Sequence, residues 1–235
     1  MCGRLDQNDV GRLLADFSWA GEVLRRDSER RSFNATPGTL LPILYMEGPS
    51  LVLEDRFWGY LGRNAPPAAT RPVPNAQLAK LLGPYWGRLT RGRRVIVPAN
   101  GWYEWVPDVD NPKKKHRWHI HRSDGELLYM AGITLWQETE KPYESGFVTV
   151  TAGAEGSMVD IHSRAPIVFT SADAATWLDP DLSGEQAAEL ARAVALGADK
   201  FAWFEVSATV KDGPELAQPL AEKVAEAISK QMDLL

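Results

Sequence analysis

Alternating apolar and polar residues dominate the middle of this chain, and helical spacing marks its two ends. Asn8 precedes Val10, Leu13, Leu14 and Phe17, apolar positions that fall on one helical face, so a short helix capped by Asn8 is predicted there. The segment from Ser32 to Tyr45, SFNATPGTLLPILY, reads as loop then strand, and LVLEDRFWGY over 51–60 reads as a further strand. From Gly62 to Gln77 the stretch GRNAPPAATRPVPNAQ is rich in proline, which denies the backbone its donors, so a surface loop is predicted. Beyond Arg94 the text RVIVPANGWYEWV, a turn at DVDNP, HRWHIHR, a turn at SDGE and LLYMAGITLW suggest a meander of antiparallel strands. FVTVTAG and APIVFT form another pair. Helices come last: Thr170 or Ser171 opens one toward Trp177, and Ser183 with Gln186 fits a capping box for a helix ending near Gly197. Leu220, Val224 and Ile228 mark a final amphipathic helix over about residues 219–235. Strands outnumber helices, which predicts an α+β fold: a mainly antiparallel or mixed sheet curled barrel-like around the core, with peripheral helices.

A length of 235 residues can bury one substantial core, and no break in composition divides it, so residues 1–235 are expected to form a single domain. The formal net charge of -5 argues against an overall electrostatic drive toward nucleic acid, so any DNA contact must come from a local basic cleft. The start, MCGRLDQNDVGRLL, lacks the apolar stretch of a signal peptide, and no run approaches the roughly 20 apolar residues of a membrane span. A cytoplasmic protein without a membrane partner is expected, with a monomer as the default state. One cysteine excludes an intrachain disulfide, and three of the four histidines crowd into 116–121. His119 and His121 share a strand face but have no carboxylate or thiolate near them in sequence, so neither a metal nor any other cofactor is expected. In the basic run KKKHRWHIHR from Lys113 to Arg122 the three lysines at the turn read as solvated in preference to forming a nucleic-acid strip.

The chemistry-bearing candidates each have a plain structural alternative. Removal of Met1 would leave Cys2 with a free α-amine and a thiol on adjacent carbons, whereas a retained Met1 would block the amine. Such an amine (pKa about 7.7 to 8.0) forms a Schiff base with an aldehyde, and the thiol (about 8.5) then closes on the imine carbon to give a thiazolidine. An incidental or buried cysteine is the alternative. Glu104, among the aromatics of GWYEW, would lose hydration and hold a raised pKa; on an alternating strand it would instead face solvent with Trp102 and Val106. His162, between two apolar strands, is a proton carrier or a core histidine satisfied by backbone. Arg164, two residues on, can hold a phosphate, and Arg4 lies close in sequence to Cys2, although surface solvation suits any arginine. Asn75 after Pro74 suits a turn, and Thr151 suits a strand.

Five blocks, in this order, carry a resemblance: Met-Cys-Gly-Arg at 1–4, Asn-Ala-Thr-Pro-Gly at 34–38, Phe-Trp-Gly at 57–59, Pro-Ala-Asn-Gly-Trp-Tyr-Glu-Trp at 98–105 and Val-Asp-Ile-His-Ser-Arg-Ala-Pro at 159–166. On these blocks, with a weaker echo in VSATVKDGPELAQPL from Val206, the chain resembles the SOS response-associated peptidase family. The resemblance implies a DNA-damage protein that crosslinks itself to abasic sites in single-stranded DNA, shields them, can release itself, and removes its own Met1. It implies roles as well: Cys2 as nucleophile, Glu104 as the group that accepts and returns a proton, and His162 as proton donor to the sugar ring oxygen. The Asn75 amide would hold the Cys2 amine and the opened sugar, with Thr151 lining the phosphate path and Arg4 and Arg164 as DNA contacts. The chain departs from the family at Asn-Ala-Gln-Leu-Ala-Lys, where Gln77 replaces the usual arginine, and at Ala68, Ala69 and Thr70, where a tryptophan pair is common. Base stacking is worth roughly 1 to 3 kcal/mol per base, so DNA affinity is expected to differ unless Arg63, Arg71, Lys80 or Arg91 compensates. Two rival readings stand beside this one: a cysteine amidase of the N-terminal nucleophile type, and a non-catalytic relative that binds single-stranded DNA or protein.

Overall fold

The computed structural model describes residues 3–9, 23–62, 65, 69–137, 139–209 and 211–221, and within them the strands sort into two sheets. The first contains β1 (Leu5–Gln7), β3 (Ser32–Ala35), β8 (Gly101–Pro107), β9 (Lys115–Arg122) and β14 (Phe201–Val206), in the order β14-β9-β8-β1-β3. The second runs β12 (Arg164–Pro166), β11 (Phe147–Gly153), β10 (Leu128–Thr134), β7 (Arg93–Ala99), β4 (Leu40–Glu47), β5 (Ser50–Phe57), β2 (Val23–Arg26). To it are added β13 (Val168–Phe169) on β10 and β6 (Asn75–Gln77) on β11. The fold is α+β with few helices, as expected, and neither strand order closes on itself among the described residues.

The strands after residue 93 form where alternation predicts them, yet not as a meander. β8 and β9 make an antiparallel hairpin in the first sheet, while β7 pairs with β10 in the second, from Leu128↔Ala99 to Thr134↔Arg93. The reason is burial. β10 is buried along its whole length and β7 nearly so, and a strand covered on both faces must sit at the centre of a sheet between partners.

The predicted loop up to Gln77 also needs correction, because Asn75–Gln77 is a strand, parallel to β11 with Asn75 opposite Thr149. Proline removes a donor but keeps its carbonyl. Pro74 O accepts from the Trp58 indole Nε1 at 3.1 Å and from the backbone N–H of Thr149 at 2.9 Å, which docks the strand by its acceptor side.

The helices are short. α1 (Gly87–Gly92) and α2 (Ser171–Leu178) cover β7 and β10 with α3 (Gly184–Val194). Thr170 caps α2 by accepting from Asp173 N at 3.2 Å, and Ser183 and Gln186 form the expected reciprocal capping box on α3. α3 stops at Val194, short of Gly197. The helix expected over Val10–Phe17 and that over 219–235 beyond Ala221 lie outside the described residues. Trp177 of α2 is fully buried with Phe169 and donates Nε1–H to Val95 O at 3.0 Å; burying a large apolar side chain contributes about 1.5 to 3 kcal/mol. A second apolar cluster joins the two sheets through Leu5, Trp102, Trp58, Val97, Met130 and Phe147. Among the described residues, no helix is long and apolar enough to cross a membrane.

Candidate active site and nucleic-acid interface

The first half of the site is built on β8. Leu5 pairs with Trp102, and the N–H of Tyr103 donates to the carbonyl of Arg4 at 3.1 Å, so the opening of the chain lies along the strand that carries Glu104. Glu104 pairs with Trp118 of β9 and is only 3% exposed. The solvent-facing reading of this residue therefore fails. Burial pushes its carboxyl up to about 7, where the acid and its conjugate base coexist at neutral pH. Cys2 lies outside the described residues.

The second half is built on β11. Thr149 and Thr151 stand two apart on this strand and so share one face. The Thr149 hydroxyl donates to Asn75 Oδ1, which fixes the amide with its oxygen toward β11 and its NH₂ donor end away from that hydroxyl. Thr151 Oγ1 lies within reach of the Arg164 guanidinium, whose Nη2 also donates to the Thr151 carbonyl at 3.0 Å. The backbone N–H of Arg164 donates to His162 Nδ1 at 3.0 Å. In the neutral ring the proton then sits on Nε2, and burial holds the imidazole below its ordinary pKa, so His162 is an uncharged donor through Nε2–H.

One core supports both halves. Ile161 and Ala165, beside His162 and Arg164, pack against the apolar cluster that contains Leu5 and Trp102. Trp58 of that cluster also holds Pro74, and through it Asn75. Asn75, Thr151, His162 and Arg164 are thus gathered around β11, and Arg4 and Glu104 along β8.

Residues 1–213 match the family model described as SOS response associated peptidase (SRAP). The chain belongs to that family. It is 33% identical to the abasic site processing protein YedK of Escherichia coli over 235 residues, covering 94% of this chain and all of that protein. The abasic site processing protein HMCES of Gallus gallus is 28% identical over 255 residues, covering 90% of this chain and 74% of that one. A solved crystal structure of a phage-related protein from Bordetella bronchiseptica superposes with a TM-score of 0.73 at 29% identity, covering 87% of this chain and 94% of that chain.

Three residues of this SRAP chain take positions the sequence did not signal. Thr149 orients Asn75. Arg117, on the strand predicted for HRWHIHR, is 2% exposed; it donates to Asn34 Oδ1 at 2.6 Å and stacks over the Tyr103 ring at 4.3 Å, bracing β8. Lys113 and Lys114 of the basic run are exposed, as expected of a turn. Arg192 of α3 lines a cavity together with Gln77, Thr151 and Arg164. His119 does have a carboxylate neighbour, contrary to expectation: β1 brings the buried Asp6 to 3.1 Å from its Nε2.

Proposed function

We propose that this SRAP chain processes abasic sites in DNA, and that it captures them covalently in single strands through Cys2 once Met1 has been removed. The names of its relatives as abasic site processing proteins support the first part. The observation that carries the second is Glu104: a buried carboxyl near neutrality, on the strand hydrogen-bonded to Arg4, two residues from Cys2.

The ring-opened deoxyribose presents an aldehyde at C1′. The Cys2 amine adds to it, and the carbinolamine loses its hydroxyl as water to give an imine. Glu104 takes a proton from the attacking nitrogen and returns one to the departing hydroxyl, a task suited to a group half-protonated at neutral pH. The thiol then adds across the C=N bond; carbon gains sulfur, nitrogen gains the proton, and a thiazolidine closes. His162, neutral and protonated at Nε2, donates toward the sugar ring oxygen as the ring opens. Asn75 offers its NH₂ end to the opened sugar, and Arg164, steadied by Thr151, meets a flanking phosphate. The same Glu104 serves in the removal of Met1.

Intact mass of purified protein, with and without single-stranded DNA containing an abasic site, tests the proposal. Expected are a chain lacking Met1 and an adduct with the DNA that survives denaturation and disappears in Cys2→Ala. Non-covalent binding that Cys2→Ala leaves unaltered would replace it with a binding-only role.

A further inference from the structure

We infer that Arg192 and Arg164 together form a seat for a backbone phosphate of the bound DNA strand, a reading that rests on the proposed abasic-site chemistry and extends its interface to α3. The two arginines line one cavity of about 280 Å³ with Gln77, Thr151 and Gly153. No aspartate or glutamate lines it, although the chain as a whole carries a net charge of -5. Two arginines thus line a cavity whose other lining residues supply no counter-charge.

The two arginines differ in how they are held. Arg164 commits its Nη2 to the carbonyl and hydroxyl of Thr151, and its buried Nε has no hydrogen-bond partner among the described residues. Arg192 is exposed and makes no hydrogen bond or ion pair among the described residues, which leaves its full fork of donors available. Its place in the last turn of α3 complements the helix dipole, but a cation there needs no facing arginine. Gln77 brings no charge to the cavity, and neither Arg71, Lys80 nor Arg91 lines it.

The shape of the surface favours a polymer over a lone ion. An adjoining groove of about 290 Å³ shares Leu78, Ala152, Gly153 and Arg192 with the cavity and continues past Pro166 and Ile167 to Phe201. A phosphate between the arginines would have beside it a groove for the next sugar and base, lined mainly by apolar residues and by the one carboxylate Glu155.

The test uses the full chain and a single-stranded oligonucleotide with a tetrahydrofuran abasic analogue, which has no aldehyde and reports binding alone. Affinity is followed by fluorescence anisotropy over a salt series for wild type, Arg192→Ala, Arg192→Glu and Arg192→Lys, with melting temperatures to confirm folding. Arg192→Ala is expected to weaken binding roughly threefold to tenfold and to reduce the slope of log K against log salt by about 0.7, the value for one phosphate contact on a single strand. Arg192→Glu should weaken it further, and Arg192→Lys should keep the slope while losing part of the affinity. Wild-type affinity and slope in both the Ala and Glu variants, with wild type still crosslinking abasic DNA, would overturn the seat and leave the proposed function standing. Inorganic phosphate raising the melting temperature of wild type while Arg192→Ala binds DNA normally would mark a free-anion site and overturn it too. A wild type that neither binds nor crosslinks would remove both readings.

Discussion

The backbone N–H of Tyr103 donates to the carbonyl of Arg4 at 3.1 Å, and this bond fastens the beginning of the chain to the strand that holds Glu104. With Leu5 paired to Trp102, the antiparallel register runs the chain back toward Gly3 as β8 runs forward to Glu104. The described backbone at Arg4 and Leu5 is thereby tied through the sheet ladder itself to the strand that carries the buried acid.

Glu104 sets a pH dependence in both stability and rate. Its carboxyl is raised from 4.5 to about 7 by burial, so the folded state holds this proton more tightly than the unfolded chain does. The stabilisation is fully present below about pH 4.5 and is lost as pH rises to about 7, amounting to about 3 kcal/mol. Glu104→Gln, uncharged throughout, should therefore melt above wild type near pH 8, with the gap closing toward pH 4. Crosslinking by the same variant should fall by roughly a hundredfold or more and lose the limb near pH 7. Calorimetry and a rate profile check both; a glutamine variant that melts lower at every pH would show the carboxylate is stabilised where it sits.

Thr149 is expected to act through Asn75. Its hydroxyl holds Asn75 Oδ1, and both lie where β6 meets β11. Thr149→Val conserves volume but frees the amide to flip and leaves its oxygen without that donor, at a cost of about 1 to 3 kcal/mol in stability. Crosslinking at saturating DNA should slow while affinity for uncleaved single strands holds. Thr149→Ser, which restores the hydroxyl, should recover the rate. Equal rates in the Val and wild-type proteins would remove the positioning role.

The pairing of Thr151 with Arg164 separates charge from aim. Arg164→Ala would remove the proposed phosphate contact, so the salt slope of DNA binding should fall by about 0.7. Thr151→Val keeps the charge but releases the guanidinium from the hydroxyl, so affinity should drop severalfold with the slope retained. Salt titrations of the two variants distinguish these outcomes; matching slopes in all three proteins would place Arg164 away from the phosphates.

The residues that were readable in the sequence are those whose role is local. Alternation in GWYEWV and the turn at DVDNP were enough for the β8–β9 hairpin, and the Ser183–Gln186 spacing was enough for the α3 cap. Sheet partners were not readable, because RVIVPA and LYMAGIT are apolar on both faces and nothing in either strand names its neighbour. Asn75 was recognisable only through the family resemblance and was expected in a loop, since the acceptor role of Pro74 depends on Trp58 and Thr149 arriving from elsewhere. Arg192 carried no signal at all. Its relation to Arg164 exists only once α3 folds over the end of β11, across 28 residues of sequence.

Gly101 opens β8, and its missing side chain makes room for His119. A Cβ there would lie 2.2 Å from His119 Nε2 and 2.7 Å from Ile120 O, distances no real structure tolerates. Gly101→Ala must therefore push the imidazole off Asp6, a fully buried carboxylate that His119 Nε2 approaches at 3.1 Å. Overpacking of this kind costs about 1 to 3 kcal/mol, and the lost partner adds to it, so a fall in melting temperature of roughly 3 to 10 °C is expected. His119→Ala alone should also destabilise, by stripping Asp6 of the same partner. In the double variant the new methyl no longer meets the imidazole, so its loss should be smaller than the sum of the single losses. Strict additivity in the melting temperatures would show that the ring is not what the methyl strikes, and that the strand's own carbonyl contact decides the need for glycine.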